Sequence, residues 1–359
     1  MKQFLKHFCK YEFQASNILI CMPQKLIDMG VLAFRQTNSR GGFKPHLSLR
    51  FMSDEGKPVT FSIDTTRSPN KCLHPDAYLI THAHSDHNGK SAMLSERALC
   101  SDKTAKALEI RYGKAYKGST MGVCDSIEVA GVTVHTFPTG HTPGATAFYW
   151  ENEVGTRILV TGDVKDYSML PKCDVLITEA NYGDPGDATC YFEDDIEGLE
   201  QLLKDNSSSA LGAYAFGKAQ RVVELVRSLG YGDVIEMESQ SLELTRCMLE
   251  NAGDVVGLGE AGGNTLCVVP PWDLDRLSWH TSKYVMSGRS DFRYPSIQIS
   301  DHLDVRGLTD MVSQIDPEVT VVYHPSGHRP GRFAAHLNCL GLDAISIDKI
   351  SNVLSNGFI

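Results

Sequence analysis

The sequence predicts an α/β protein made of one large domain with an insertion, or of two domains. Its 359 residues are enough to bury a sizeable core. Apolar residues make up 42% and charged residues 22%, which is usual for a globular protein and excludes a disordered or fibrous chain. Beyond about residue 45, short β-type runs alternate with helix-like segments, which is typical of a mixed fold.

Charge, cysteine content and hydropathy limit the function classes. The net charge of -10 argues against a protein that coats nucleic acid through its overall charge, although a local basic groove stays compatible with it. The ten cysteines form no Cys-x-x-Cys pair and follow no secretory signal, which predicts reduced thiols and a cytoplasmic location. No apolar run approaches the length of a membrane span, so no membrane partner is expected.

Metal-binding side chains are concentrated in residues 81–89. His82, His84, Asp86 and His87 fall within six residues. In an extended segment alternate side chains share a face, so the first three can converge while a turn delivers His87 from the next element. Burying several imidazoles without partners costs about a few kcal/mol each, and a bound metal removes that cost. The pattern therefore predicts a metal site; the alternative is a solvated, histidine-rich loop.

Other candidate residues stand at strand ends or in loops. Asp64 ends a β-type run, where it can hold a ligand histidine by the second ring nitrogen or simply cap a turn. His141 lies in Gly-His-Thr-Pro-Gly, a loop without hydrophobic periodicity, and is a further expected ligand. Asp163 follows a strand in Thr-Gly-Asp. His135 alternates within a strand and is expected to be an ordinary histidine.

Hydrophobic spacing predicts the elements around these motifs. A helix is expected at 103–112. Strands are expected at 47–52, 59–64, 145–150, 157–160, 175–178, 210–216 and 319–323, with two more between 126 and 137 about Gly131.

Taken in order, these motifs resemble those of the metallo-β-lactamase superfamily, whose fold is an αββα sandwich. The resemblance implies two ions joined by a bridging carboxylate, with His82, His84 and His141 on the first ion, Asp86 and His87 on the second, and Asp163 between them. Such donors suit zinc first and manganese or iron next. Two divalent ions about 3.5–4 Å apart are thus the expected cofactors.

Three later motifs resemble those of the β-CASP nucleases within this superfamily. Glu179 ends an apolar strand as in motif A, and His302 lies in Ser-Asp-His-x-Asp as in motif B. His324 follows a strand as in motif C and would complete the second ion's ligands, with His328 as a nearby competitor. Proline follows His324, where the family commonly has glycine. The resemblance covers about residues 47–340 and is closest to the ligase-associated exonuclease branch.

The resemblance also implies a domain division. Residues 46–183 and 290–359 would form the metallo-β-lactamase domain, 184–289 a small α/β insertion of the β-CASP type, and 1–45 an N-terminal extension. Within the insertion, helices are expected at 193–204, 222–229 and 242–251, and strands at 234–236 and 265–269 in addition to 210–216. A lid of this size suits a long substrate held between two domains.

The implied function is a nuclease that hydrolyses phosphodiester bonds of DNA or RNA, with an exonuclease expected. A hydroxide bridging the metals would attack phosphorus, and His302, assisted by Glu179, would give a proton to the leaving oxygen. Asp86 and Asp64 complete the expected catalytic residues. Lys218, Arg221 and Arg289 are expected to bind the substrate backbone, although a solvated helix face is an equal alternative for the first two.

Two other functions stay open from the sequence. One is a metal-dependent hydrolase of a small thioester or lactam. The other is a non-catalytic scaffold for nucleic-acid processing, against which the complete ligand set argues. Nucleic acid is the expected partner in the main interpretation, together with repair or RNA-processing proteins. Strand polarity, endonuclease or exonuclease mode and oligomeric state are not addressed by these patterns.

Overall fold

The computed structural model describes residues 22–38, 40, 42–65, 74–87, 90–205, 208–262, 265–289, 292–324 and 327–357. Within these ranges the chain forms two sheets that face each other and a third, separate sheet. The third sheet is formed by residues 209–297.

The first sheet has six strands arranged in the order in which they occur in the sequence. They are β1 (Leu32–Thr37), β2 (Phe43–Met52), β3 (Pro58–Ile63), β4 (Ala77–Leu79), β5 (Ala98–Ser101) and β6 (Ser119–Met121). β1 to β3 are antiparallel, and β3 to β6 are parallel. Helix α1 (22–28) precedes β1, and α2 (Asp102–Tyr112) lies between β5 and β6.

Helix α2 shows how local sequence sets an element's ends. The side chain of Ser101 accepts a hydrogen bond from the Thr104 N–H at its start, and Gly113 takes a left-handed conformation, with φ of 60°, at its end. A serine N-cap and a glycine C-cap satisfy backbone groups that the helix leaves without partners. The helix predicted at 103–112 is confirmed.

The second sheet begins with β7 (Ser126–Val129), β8 (Val132–Pro138), β9 (Thr146–Glu151), β10 (Arg157–Val160) and β11 (Val175–Thr178). β7 to β10 are antiparallel, and β11 runs parallel to β10. The chain then leaves this sheet and enters the third one.

The third sheet is parallel throughout, in the order β14-β13-β15-β12-β16-β17. Its strands are β12 (Ser209–Gly212), β13 (Ile235–Met237), β14 (Val255–Gly257), β15 (Leu266–Val269), β16 (Ser282–Met286) and β17 (Ser296–Ile297). Helices α3 (Ile196–Lys204), α4 (Lys218–Ser228) and α5 (Ser239–Met248) alternate with them. This part of the chain is the small α/β layer that the sequence predicts.

The chain then returns to the second sheet. Its last elements are α6 (Val305–Ile315), β18 (Val319–Val322), α7 (Arg329–Cys339), β19 (Ala344–Ser346) and α8 (Ile347–Gly357). β18 pairs in parallel with β11, so the segment that forms the third sheet is inserted between two neighbouring strands of the second sheet.

The first two sheets bury a common core between them. Phe61 of the first sheet and Trp150 of the second are both fully buried, and their rings lie 5.3 Å apart, edge to face. Helix α2 packs on the outer face of the first sheet, and α6 and α7 pack on the outer face of the second. This arrangement confirms the predicted αββα sandwich with an inserted α/β layer.

Two details of the predicted organisation differ from the sheets that form. β1 pairs with β2 although it lies within residues 1–45, which were predicted to be an extension. One inward position of this strand is the buried Arg35, which donates to Asp348 and to the His324 carbonyl oxygen. Because this position is charged, the sequence of β1 does not show the apolar alternation of a strand. β17 joins the third sheet although it lies beyond residue 289. The exact domain boundaries stay a prediction. Residues 1–21 lie outside the described residues.

The described cysteines, Cys100, Cys124, Cys173, Cys190, Cys247, Cys267 and Cys339, are free thiols, as expected. Among the described residues, the structure contains no helix long and apolar enough to cross a bilayer.

The core between the sheets gives a stability prediction. Phe61→Ala should lower the free energy of unfolding by about 3–5 kcal/mol, because the ring fills the space between Phe51 and Trp150 and its loss leaves a cavity. Denaturant unfolding followed by circular dichroism measures this change. Val154→Ala is the control: its side chain is exposed, and the change should stay within about 0.5 kcal/mol. Equal effects of the two substitutions would contradict the packing described.

Candidate metal centre

A first group of metal donors forms where the loop after β4 meets two loops of the second sheet. His82, His84, His141 and Asp163 each offer a ligand atom within 4.8 Å of the others. The rings of His82 and His84 meet edge to face at 4.8 Å, and His141 lies 4.6 Å from His82. The structure thus brings together residues from three separate sequence motifs.

A second group consists of Asp86, His87 and His324, again within 4.8 Å of one another. The carboxylate of Asp163 lies between the two groups. Its Oδ2 is 3.6 Å from His82 Nε2 and its Oδ1 is 3.3 Å from His87 Nε2. One carboxylate oxygen therefore faces each group, which is the arrangement needed to bridge two ions.

Histidine orientation fits the same use. His87 Nδ1 lies 3.1 Å from the Asp64 carboxylate and His141 Nδ1 lies 2.8 Å from the carbonyl oxygen of Asp301, so each ring donates its Nδ1 proton outward. His82 Nδ1 lies 3.0 Å from the Thr81 hydroxyl, which itself donates to Asp64. In each ring Nε2 faces Asp163. When Nδ1 carries the ring proton, Nε2 has a free lone pair, which a metal ligand requires.

Two buried atoms at the centre test whether a cation fits. His87 Nε2 and Asp163 Oδ1 make no hydrogen bond within the described part of the chain, although both are buried. Leaving such buried atoms without a hydrogen bond costs about 1–3 kcal/mol or more each. A cation accepts both as ligands, and the nitrogen and carboxylate donors suit Zn²⁺ or Mn²⁺. The residues present therefore fit a divalent metal.

Charge and burial perturb the pKa values of the centre in opposite directions. Burial lowers the pKa values of His82 and His141 well below the usual value for histidine, and neighbouring imidazoles lower them further. For His87 burial acts the same way, but Asp163 and Asp64 raise its pKa to about 10. Burial raises the pKa of Asp163 to about 7. A bound cation would stabilise the deprotonated ligands instead, since metal and proton compete for the same lone pairs.

Asp64 holds several neighbouring groups in place. Oδ1 accepts a hydrogen bond from the Thr81 N–H at 2.7 Å, and Oδ2 accepts from the Thr81 hydroxyl at 2.7 Å and from the Tyr323 hydroxyl at 3.1 Å. Asp64 also receives the His87 Nδ1 proton. The sequence-based expectation that Asp64 could hold a ligand histidine agrees with these contacts. Its φ of 47° lies in the left-handed region, which aspartate and asparagine adopt more readily than other residues except glycine.

Glu179 and His302 form a pair beside Asp163. Glu179 follows β11, and its carboxylate accepts from the Val164 N–H at 2.7 Å and lies 3.2 Å from His302 Nδ1. Burial alone would lower the pKa of His302, but Glu179 and Asp163 raise it to about 9. Glu179 therefore holds His302 Nδ1 and favours the protonated ring.

The insertion contributes directly to the first donor group. His84 Nε2 lies 3.1 Å from the carbonyl oxygen of Phe216, in the loop that leads into α4. Gly217, which follows, has a φ of 81°, and a Cβ there would lie 2.6 Å from Thr142 Cγ2 and 3.2 Å from His84 Nε2. Only glycine lets the insertion approach the ligand this closely.

Lys218 does not occupy the place that was predicted for it. Its side chain is buried and donates to Asp301 Oδ1 at 2.7 Å and to the Ile299 carbonyl oxygen at 2.9 Å. It cannot contact a substrate without breaking a buried ion pair, so the substrate-binding role is corrected to a structural one. The sequence did not predict this burial, because the pattern of a lysine that follows glycine at the start of a helix does not distinguish a buried lysine from a solvated one.

Arg221 and Arg289 lie closer to solvent. Arg221 donates to Asp194 at 2.6 Å and lines a cavity of about 400 Å³ that also reaches His141. Arg289 is exposed and lines a second cavity, of about 510 Å³, together with Asn181 and His324. Substrate contact by these two arginines stays a prediction.

Four residues of the centre were not predicted to take part in it: Thr81, Asn181, Asp301 and Tyr323. Each lies next to, or two residues from, a predicted site residue, and that adjacency was the only available signal. Asn181 donates to Glu179 through its backbone N–H, at 3.2 Å. Conversely, His328, the alternative to His324, is exposed and lies 3.5 Å from Asp184.

Comparison with known proteins gives one informative sequence match and a fold match. The chain is 26% identical over 279 residues to the 5' exonuclease Apollo of Danio rerio, which is 69% of this chain and 48% of that protein. The chain thus spans about half the length of this curated relative. The match confirms the resemblance to the β-CASP nucleases that the motifs indicate. No family model matches the chain.

Among solved structures, the chain resembles a protein of unknown function from Enterococcus faecalis V583. The TM-score is 0.58 at 12% identity, over 84% of this chain and 95% of that one. This similarity supports the fold alone.

Thr81 provides a test of how the centre is held. Thr81→Val keeps the side-chain volume but removes the hydroxyl between Asp64 and His82, so zinc affinity should fall by about 10–100-fold. Competition with a chelator of known affinity measures this. Thr133→Val, at an exposed strand position, is the matched control and should leave the affinity unchanged. Unchanged affinity in Thr81→Val would mean that His82 is oriented by other contacts.

Proposed function

We propose, on the premise that this chain is a metallo-β-lactamase-fold protein of the β-CASP group, that it is a metal-dependent nuclease. Its expected reaction is the hydrolysis of phosphodiester bonds of DNA or RNA as an exonuclease, with two divalent ions, Zn²⁺ or alternatively Mn²⁺. One observation carries the proposal: Asp163 belongs to the first donor group, lies 3.3 Å from His87 of the second, and has the Glu179–His302 pair beside it. The 5' exonuclease named among the relatives supports the same reaction class.

The donor groups support a proposed set of metal ligands. His82, His84 and His141 would hold one ion, Asp86, His87 and His324 the other, and Asp163 both. When bound, such ions supply an activated water near neutral pH and Lewis acidity toward the phosphoryl oxygens. Asp64, in contact with His87 and Thr81, would keep the ligand rings in their orientation and is therefore a positioning residue.

The Glu179–His302 pair would act on the leaving group. Because Glu179 holds Nδ1, Nε2 is the nitrogen of His302 that can give a proton to a departing sugar oxygen. The Glu179 carboxylate raises the pKa of His302 and so favours the protonated ring, and the imidazole is partly exposed. General acid catalysis of this kind contributes about 10²–10⁴-fold to a rate.

The position of the insertion suits a long substrate. The carboxyl ends of parallel strands in α/β layers are the usual place for ligands. Here β12, β16 and β17 are followed by Phe216, Arg289 and His302, which all lie at the metal centre or its adjoining cavities. The exposed Arg289 would bind the phosphate backbone there, with Arg221 at the other cavity.

The proposed place of action is the cytoplasm, with DNA repair or RNA processing as the context; free thiols are compatible with that reducing compartment. DNA or RNA preference and strand polarity are left to the first experiment.

The direct test incubates metal-loaded protein with single-stranded DNA and RNA, each labelled at the 5' or the 3' end. We expect a ladder of products that shortens from one end, and its loss after chelation. Asp163→Ala and His84→Ala should each abolish cleavage, because each removes a donor from the shared centre.

His135→Ala is the matched control, since His135 is an exposed strand residue outside the donor groups and should leave cleavage intact. Circular dichroism would show that all variants stay folded. A chromogenic cephalosporin and an acyl thioester serve as counter-substrates. Turnover of either, without nucleic-acid cleavage, would replace the nuclease proposal by a small-substrate hydrolase.

The role of His302 has its own test. His302→Ala should slow cleavage of natural phosphodiesters by about 10²–10⁴-fold, because the leaving alkoxide needs a proton. With thymidine 5'-p-nitrophenyl phosphate, whose leaving group departs without protonation, the same variant should lose much less. Rates from absorbance and from gels give the comparison. Equal losses on both substrates would assign His302 to binding or metal positioning instead of proton transfer.

A further inference from the structure

Two aromatic rings lie exposed next to each other on the insertion. Trp272 is 64% exposed and Tyr214 is 47% exposed, and their ring centroids lie 5.9 Å apart with planes inclined at 46°. Burying these rings would be favourable, yet each leaves much of its surface in water. The pair therefore leaves much of its aromatic surface exposed to solvent.

The backbone under Trp272 is held firmly. Pro270 and Pro271 restrict the chain after β15, and Leu274 of the short 3₁₀ helix Pro271–Arg276 is fully buried. A Cβ on Gly212 would lie 2.7 Å from Leu274 Cδ1 and 3.2 Å from Pro271 Cα, so the turn packs directly on the bare backbone of β12. Trp272 is therefore displayed from a rigid support, which reduces the entropy lost when a ligand stacks on it.

The chain segment that carries Tyr214 reaches the metal centre two residues later. Tyr214 follows the carboxyl end of β12 and comes two residues before Phe216, whose carbonyl oxygen is 3.1 Å from His84 Nε2. Two residues span at most about 7 Å of chain. Trp272 follows the carboxyl end of the neighbouring strand β15, at the same sheet edge. Both rings thus belong to segments at the sheet edge from which Phe216 reaches the metal centre.

We propose that Trp272 and Tyr214 form a base-stacking platform that binds an unpaired nucleobase of a single-stranded substrate close to the scissile bond. This inference rests on the proposed nuclease function and specifies its substrate as single-stranded. Aromatic rings bind bases of any sequence because every base has a π face. Inside a duplex both faces of a base are covered by neighbouring bases, so an unpaired strand is the form that can use the indole face.

Binding is measured separately from cleavage. The probe is a fluorescent 12-nucleotide oligothymidylate with phosphorothioate linkages, titrated with metal-loaded protein and followed by anisotropy. Trp272→Ala should weaken binding about tenfold, which lies within the range for the loss of one base–aromatic stack. Trp272→Phe keeps a stacking ring and should recover most of the affinity.

Trp279→Ala is the matched control. Trp279 is 84% exposed, but it precedes the amino end of β16 and so lies at the opposite edge of the same sheet. Its removal should leave oligothymidylate binding unchanged. If Trp279→Ala also weakened binding tenfold, the effect would not be specific to Trp272. That result would overturn the proposed stacking platform.

A scan of single abasic positions along the oligonucleotide then locates the stacked base. In the unaltered protein one position should cost about tenfold in affinity, and in Trp272→Ala the same position should cost nothing further, because the two changes remove one contact. A flat scan, or unchanged affinity in Trp272→Ala, overturns the proposal and leaves a protein partner as the occupant of the pair.

The two proposals fail in different ways. If the protein cleaves nucleic acid but binding and KM are unaffected by Trp272→Ala, the nuclease function stands and the platform is wrong. If no nucleic acid is cleaved while the abasic scan still depends on Trp272, the platform stands as a binding site and the nuclease function is wrong. If the oligothymidylate does not bind at all, the platform is wrong irrespective of cleavage.

Discussion

The site depends on one buried carboxylate, that of Asp163, placed between two groups of imidazoles. Its two oxygens lie 3.6 Å from His82 and 3.3 Å from His87, and Oδ1 has no hydrogen bond among the described residues. His87 offsets part of the charge of this carboxylate, yet burial still raises the pKa of Asp163 to about 7. Divalent cations would neutralise the remaining charge of Asp163, and the positions of the surrounding imidazoles suit their binding.

Orientation of the ligand rings links the two sheets of the sandwich. Asp64, at the end of β3 in the first sheet, receives hydrogen bonds from Thr81 and from Tyr323, which follows β18 in the second sheet. The same carboxylate holds His87. Because these partners come from both sheets, the ligand positions depend on how the sheets pack. The fully buried rings of Phe61 and Trp150 fix that packing.

The insertion is also part of the centre and not only a cover for it. Lys218, at the start of α4, pairs with Asp301, whose carbonyl oxygen accepts the Nδ1 proton of His141. The pair is almost fully buried, and Lys218 and His302 hold the pKa of Asp301 well below its usual value although burial opposes this. A charge pair of this kind is costly to break but adds specificity of position. It fixes the insertion relative to His141 and His302.

The sequence by itself determined the class of fold, the order of most strands and helices, and the chemistry of the centre. His82, His84 and His87 were identifiable because so many imidazoles within six residues have few other uses, and His141 because no hydrophobic period explains its loop. These are local signals, carried by residue type and spacing. Only the tertiary structure decided that Lys218 is buried against Asp301, that Asp64 contacts His87, and that Trp272 lies exposed beside Tyr214. These contacts join residues that are 23 to 83 positions apart or depend on burial, which spacing along one segment does not encode.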